Sequence, residues 1–466
     1  MGTEANMKVL LVYANQFPLL APPPVGLAVM VNPLRRAGHE VRLLEFMREN
    51  DPDALLERTL REFRPDITGF SLRNLDDMSM TDSHDFVPDY VRWVGIANRV
   101  SHTIIGGSAL MTMPEALYAR TGATWALAGQ GNKAFPLFLE ELAAGRTSFT
   151  APGVLWRENG AVRRNPGLFD GYKGDGRIEW SVVDRERYKK PYMKSCVLTK
   201  TGCPHRCQFC DVGRSFGEQF VPREPEAIVE DLRRDAREYG MHRGDYFLVD
   251  ALFNQPVDWA KRLCEALLRF EHTVLFYAVL EPTPDFDREL ATLMRRAGCL
   301  MVTSLAGSVD EGMIERATRP FTLESVHRCF GLLERAGVPY MVQYMWGGPG
   351  ETRETVLENF RQAARWKPIM SMASYGIRIL PGAGLAAVAR EEGVIDEATD
   401  LLKPTFYLAE PLRQDREWLG EQVKRMSHPG LRALPQWAGL FWRTWRAGRQ
   451  KLVRPEVRMP SAPTAR

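Results

Sequence analysis

From Lys8 onward the chain alternates between two hydrophobic rhythms. Short apolar runs, among them VLLVYA (9–14), EVRLLEF (40–46), DITGFSL (66–72), HTIIGG (102–107) and ATWALAG (123–129), are one of them. Between them lie stretches such as GLAVMVNPLRRAG, DALLERTLREF and AFPLFLEELAAG, in which apolar residues return every three or four positions. The first rhythm predicts buried strands and the second amphipathic helices. Strands and helices alternating at this spacing pair in parallel through right-handed crossovers.

Five such units make one doubly wound α/β domain, flavodoxin-like (Rossmann-type), ending near Gly145. The run GVLWR, ENG, AVRRN then predicts a hairpin turning at Asn159–Gly160 and serving as a linker. A second series opens with CVLTK (196–200) and continues through YFLVD, VLFYAVL, LMVTSL, YMVQYMWG and ASYGIRIL, each separated from the next by a helical stretch. Six repeats predict a partial (β/α)6 barrel of the TIM type, with ligands at the C-terminal ends of its strands. After Pro381 the pattern is irregular and mostly helical. The expected division is 1–146, a hairpin and linker at 147–190, the barrel at 191–385 and a helical segment at 386–466.

Composition changes this picture little. With 45% hydrophobic and 26% charged residues over 466, the chain is that of an ordinary globular protein. A net charge of +3 gives no warrant for a nucleic-acid binder. The early apolar run Val9–Ala14 is too short for a leader or an anchor, and Asn6 stands where a myristoylation signal needs Ser or Thr, so a cytoplasmic protein is expected. Between Glu421 and Glu456 no acidic residue occurs, while Arg443, Arg446, Arg449 and Lys451 gather beside Trp437, Trp442 and Trp445. Such a segment could meet a membrane surface; packing on the barrel is the favoured expectation.

The cysteines carry the candidate chemistry. Three of the seven fall in TKTGCPHRCQFCDVG, spaced C-x3-C-x2-C in a loop just after a predicted strand. Cys264, Cys299 and Cys329 are dispersed in apolar runs and read as buried structural residues. Three thiolates hold three irons of a cubane and leave the fourth open, whereas closed electron-transfer clusters use four. Zinc is the rival, but its short cysteine spacings come as two pairs, and no second pair follows. His205, inside the loop, reads as solvent-facing.

C-x3-C-x-aromatic-C, with Phe209 in the aromatic place, resembles the radical S-adenosylmethionine (SAM) superfamily. The resemblance implies that Cys203, Cys207 and Cys210 ligate a 4Fe-4S cluster. SAM would chelate the open iron, and an electron would cleave it to a radical that takes hydrogen from a substrate. It also implies SAM contacts at Asp250, which ends YFLVD, at Ser304 and Ser308 in TSLAGS, and at Gly347 and Gly348 in YMWGGPGET, where the backbone would approach adenine. IRILPGAGL, around Arg378 and Pro381, resembles the family's region after the sixth strand.

A flavodoxin-like domain ahead of such a barrel is similar to the cobalamin-dependent subfamily, up to about Tyr407. APPPVGLAVMVNPLRRAGHEV, DITGFSLRN and IIGGSAL carry that likeness. By the switch-point rule, Asn15, Ser71, Arg73, Gly106, Gly107, Ser108 and Gly131 are the expected cobalamin contacts. Asp82, Ser83, His84 and Val87 nearly match the cobalt-ligating D-x-H-x-x-G, but after the third strand and without its Gly, so the cobalt is expected to lack a protein His. Where relatives carry G-E-G-E after the fifth strand, this chain has Gly129, Gln130, Gly131, Asn132. A docking domain without cofactor is the alternative.

The resemblance therefore implies a cobalamin-dependent C-methyltransferase acting on an unactivated carbon of a small-molecule or natural-product intermediate. An electron donor such as flavodoxin or ferredoxin would serve it. Radical cyclisation, ring remodelling or oxidation on the same scaffold is one alternative, and a non-enzymatic iron–sulfur carrier or sensor another. No catalytic acid or base is assigned. A tRNA-modifying relative is disfavoured because no second cysteine triad precedes the barrel.

Overall fold

The computed structural model describes residues 6–17, 22–172, 176–188, 195–241 and 243–427. The basic, tryptophan-rich segment lies outside the described residues.

The first unit is built as its periodicity predicts. Lys8–Tyr13 (β1), Val25–Arg36 (α1), Glu40–Glu45 (β2), Pro52–Phe63 (α2), Ile67–Ser71 (β3), Val87–Ala97 (α3) and His102–Gly106 (β4) follow in order. Ser108–Thr112 (α4), Pro114–Thr121 (α5), Trp125–Leu127 (β5) and Gly131–Ala143 (α6) complete the series. Local chemistry sets the ends: the Asp51 carboxylate caps α2 by accepting from Ala54 N at 2.9 Å, Pro52 opens the helix, and Arg64 closes it left-handed. The hairpin Val154–Glu158 (β6) and Ala161–Arg164 (β7) turns at Asn159 and Gly160, both with positive φ, as a two-residue primed turn requires. β6 pairs antiparallel with β5, so the segment read as a linker extends the sheet, giving the order β2-β1-β3-β4-β5-β6-β7.

The second unit opens with Ser195–Leu198 (β8) and then Lys200–Thr201 (β9), Val212–Phe216 (α7), Val221–Pro222 (β10) and Pro225–Tyr239 (α8). Arg243–Val249 (β11), Val257–Arg269 (α9), Thr273–Val279 (β12), Arg288–Ala297 (α10), Cys299–Leu305 (β13), Glu311–Arg316 (α11) and Leu323–Ala336 (α12) follow. Tyr340–Trp346 (β14), Arg353–Ala363 (α13) and Met370–Tyr375 (β15) end the repeats. Six parallel strands run β15-β14-β13-β12-β11-β8, an open, partial barrel. Beyond it lie Ile377–Arg378 (β16), Leu385–Glu391 (α14), Phe406–Tyr407 (β17) and Arg416–Met426 (α15), with β16 and β17 paired antiparallel.

The two sheets meet through their C-terminal edges. α4, after β4, packs on α7, after the cysteine loop. Gln130, after β5, reaches Thr201 Oγ1 at 3.5 Å. Gly376 has φ +76°, and a Cβ there would lie 2.3 Å from Met80 Sδ, so only glycine lets the turn after β15 approach the loop after β3. Asp76 of that loop is paired with Arg378.

Candidate cofactor site

The cysteine loop is stapled at its base, where β9 and β10 pair Thr201 with Val221 and Lys200 with Pro222. Inside it, Cys203 N donates to Gly217 O at 2.9 Å and Cys210 N to Cys207 O at 3.0 Å. Outside contacts fix its placement: Thr318 Oγ1 donates to Arg206 O at 2.6 Å, Gln208 N to Ala317 O at 3.0 Å, and Leu385 N to Gln208 O at 2.8 Å. All three thiols are free and half-buried. Burial pushes each of them up, Cys210 to about 11, so the thiolates a cluster needs are ones that bound iron rather than the protein stabilises. Among the described residues no three His, Cys, Asp or Glu converge on a point suited to one ion. A cubane takes one thiolate per iron, and three free, half-buried thiols in one loop are the donors that three of its irons need. His205 is half-buried, edge-on to Phe220 at 5.8 Å, rather than turned to solvent. Cys264, Cys299 and Cys329 are buried in the core as expected.

Beside the loop, Arg319 binds Glu281 through Nη2 at 2.8 and 2.7 Å and donates to Leu305 O at 2.5 Å. Its guanidinium lies over the Phe209 ring at 5.1 Å, so the aromatic place in the motif makes a cation–π contact here. Burial pushes Glu281 up to about 7 against the pull of Arg319. A cleft with about 410 Å³ of empty space, part of it open to solvent, is lined by Gln208, Phe209, Ser308, Arg316, Met345 and Glu351 among others. Gly348 lines it too.

Glu351 builds one wall. Its Oε2 accepts from Gly347 N at 2.6 Å and Gly348 N at 3.3 Å, and its Oε1 accepts from Ser308 Oγ at 2.6 Å. Asn359 Nδ2 donates to Ser308 Oγ at 3.1 Å and completes the network. Burial holds the carboxyl up to about 7. Gly347 has φ +96° and its missing Cβ leaves room for Leu408 at 2.5 Å, so its glycine serves the turn itself.

The other expected SAM residues are placed differently from one another. Ser308 is in the cleft wall, but Ser304 is fully buried, with an unpartnered hydroxyl, on the face of β13 whose Val302 packs in the core with Phe330 of α12. Asp250 is fully buried and accepts from Thr199 Oγ1 at 2.6 Å, with Lys200 Nζ at 3.2 Å. Its Oδ1 has no partner. Lys200 also donates to Phe253 O at 2.9 Å and lies 4.1 Å from the Trp259 ring, so Asp250 anchors the strand that leads into the cysteine loop. Lys200, Glu281, Arg319 and Glu351 were missed by motif reading. Glu351 sits inside YMWGGPGET; Arg319 left no sequence signal.

At the edge of the first sheet, Tyr13 stands opposite Ser71 and Ser71 opposite Gly106, which brings Asn15, Ser71 and Gly106 together. Ser108 Oγ donates to Arg73 O, and Asn15 Nδ2 donates to Tyr13 Oη at 3.2 Å. Gly107 has φ +94°, and a Cβ would lie 2.5 Å from Leu72 O. Gly131 opens α6 against Met30. Next to it Asn132 is 2% exposed with both amide atoms unpartnered, a buried polar group facing no protein partner at the place where the fold takes its ligand. The residues fit a cobalamin. His84 is exposed beside Phe86, outside this edge.

Residues 197–363 match the family model described as the Radical SAM superfamily, and residues 19–139 match the B12 binding domain. The chain is 26% identical to the tryptophan 2-C-methyltransferase of Streptomyces laurentii over 82% of this chain and 74% of that protein. It is 21% identical to the cytidylyl-2-hydroxyethylphosphonate methyltransferase of Streptomyces wedmorensis over 87% and 84%. The fold is shared with the radical SAM methyltransferase TsrM from Kitasatospora setae, solved with cobalamin and a 4Fe-4S cluster bound, at a TM-score of 0.79, 23% identity and 91% coverage of both chains. With both models matched in that order on the two sheets just described, the chain belongs to the radical SAM superfamily, in its cobalamin-dependent branch.

Proposed function

We propose that this protein is a cobalamin-dependent radical SAM C-methyltransferase that places a methyl group on an unactivated carbon of a small-molecule or natural-product intermediate. The observation that carries the reading is the meeting of two C-terminal sheet edges, one bearing the cysteine loop and the other the cobalamin-type rim, around the Asp76–Arg378 pair. When bound, the cluster with SAM supplies one-electron hydrogen abstraction and cobalamin supplies methyl carriage. The chain's own residues do the positioning. Cys203, Cys207 and Cys210 hold the cluster, and Glu351 and Ser308 shape the turn at Gly347 and Gly348. The unpartnered Asp250 Oδ1 and the buried amide of Asn132 are the groups left to receive donors from SAM and cobalamin.

The supporting division is 1–146 for cobalamin, 147–190 for hairpin and linker, 191–385 for the radical domain and 386–466 for the C-terminal segment. An acidic electron donor such as flavodoxin or ferredoxin would approach the cysteine loop, whose outward arginines are Arg206 and Arg214. Seven free cysteines and an oxygen-sensitive cluster suit the cytoplasm, and no helix among the described residues is long and apolar enough to cross a membrane. The test is anaerobic purification, cluster reconstitution with added cobalamin, and mass spectrometry of the products. S-adenosylhomocysteine together with 5′-deoxyadenosine supports methylation. 5′-Deoxyadenosine alone assigns the chain to other radical chemistry.

A further inference from the structure

Strand register divides the barrel sheet into two faces. Val302, Val342, Tyr344 and Trp346 lie in the core with Phe330 and Leu333 of α12. Their odd-numbered neighbours point the other way, into the concave side. Pairing aligns Val279 with Thr303, Thr303 with Met341, Leu305 with Gln343, and Gln343 with Met372, so these side chains form one continuous surface.

Asp245 holds the register position one layer deeper, towards the N-terminal end of β11. From Phe247 and Val249 across to Met372 and Ser374, every position of the face is uncharged: apolar, Thr, Gln, Ser or Tyr, with five methionines among them. Much of it is only partly covered, and Met372 is 41% exposed. The nearest charged groups at the rim are engaged with each other: Lys200 with Asp250, and Arg319 with Glu281. Arg316 stands on α11 at the cleft mouth, off the strands. Met345 belongs both to this face and to the cleft lining, so the surface continues from the place where SAM is proposed to bind.

We infer that the concave face is the substrate site and that it takes an uncharged, largely apolar small molecule, with neutral groups such as Gln343 and Thr303 to hydrogen-bond it. This rests on the proposed function. A carboxylate or phosphate placed here would be desolvated without a counter-ion, which is costly. Methionines offer a polarizable, deformable surface suited to an apolar skeleton.

Two fluorescent probes with the same ring system test it on the full chain without cofactors: neutral 1-pyrenebutanol and anionic 1-pyrenebutyrate. The wild type should bind the alcohol at least tenfold more tightly. Met341→Lys and Met372→Lys should reverse that preference, and Leu137→Lys, on exposed α6, should not. Met372→Lys stays informative if Met341→Lys fails to fold, because Met372 is already exposed. Equal or tighter butyrate binding by the wild type overturns the inference. So does an unchanged preference in Met372→Lys, or binding of neither probe, which would mean the chain covers its own face. None of these results touches the product assay, so the two readings fail separately.

Discussion

Asp76 and Arg378, 302 residues apart in the chain, meet at 2.5 Å with both side chains 1% exposed. Arg378 spends its remaining donors on the carbonyls of Ile379 at 2.8 Å, Thr405 at 3.3 Å and Leu401 at 2.8 Å. Asp76 in turn accepts from Met78 N at 2.9 Å. The pair thus ties the loop that follows Ser71 and Arg73 to the strand end that follows the barrel. Burying two charges costs more than their attraction readily returns, so the pair is expected to contribute more to the placement of these two segments than to net stability.

Single neutralisation, Asp76→Asn or Arg378→Gln, leaves one buried charge alone and should cost about 3–5 kcal/mol. Asp76→Asn with Arg378→Gln should cost clearly less than the sum. Denaturant midpoints of the three variants measure this, and strict additivity would show that the groups do not interact.

Replacing Cys203, Cys207 or Cys210 with Ser should remove the reconstituted cluster, read as iron and sulfide content, and abolish SAM cleavage. Cys264→Ala and Cys329→Ala should keep full iron content and lose only stability, by about 1–3 kcal/mol as small core truncations. Retained iron in a triad variant would count against the cubane.

Glu351 gives a pH dependence whose sign is fixed by its burial. Its folded carboxyl sits near about 7 against an ordinary 4.5, so the folded protein takes the proton more readily than the unfolded chain. Its contribution to stability is fully present below pH 4.5 and is lost as pH rises through about 7. Glu351→Gln holds the neutral form throughout and should flatten that decline. Unfolding midpoints across this window, equal in slope for variant and wild type, would show that Glu351 does not titrate there.

Gly107→Ala must place a Cβ 2.5 Å from Leu72 O at φ +94°. It should destabilise the cobalamin edge by about 1–3 kcal/mol and weaken cobalamin binding followed by absorbance. His84→Ala should leave that binding and the cob(II)alamin paramagnetic resonance spectrum unchanged. A spectrum that loses a nitrogen coupling in His84→Ala would make the D-x-H motif a true ligand set.

Strand and helix placement was legible because amphipathic period is a local property: VLLVYA and GLAVMVNPLRR formed β1 and α1 where their patterns put them. The grouping of Cys203, Cys207 and Cys210 was legible for a related reason, since three residues within eight positions share a loop in any fold that forms it. Ser304 shows where this stops. Its hydroxyl was expected beside SAM, but register with Val342 puts it on the helix-facing side, two residues from Val302 in the core. One step along a strand reverses the face a side chain takes, and motif reading cannot fix that step.

The sequence by itself determined the order of the units, the periods of their strands and helices, and the crowding of three cysteines into one loop, all of which depend on neighbours a few residues apart. Only the tertiary structure decided that Asp76 meets Arg378, that Glu351 grips Ser308 and the Gly347 turn, and that the methionines share one uncharged face. Those relations join residues tens to hundreds of positions apart, and they exist only once strand register and the docking of two sheet edges have closed the distance.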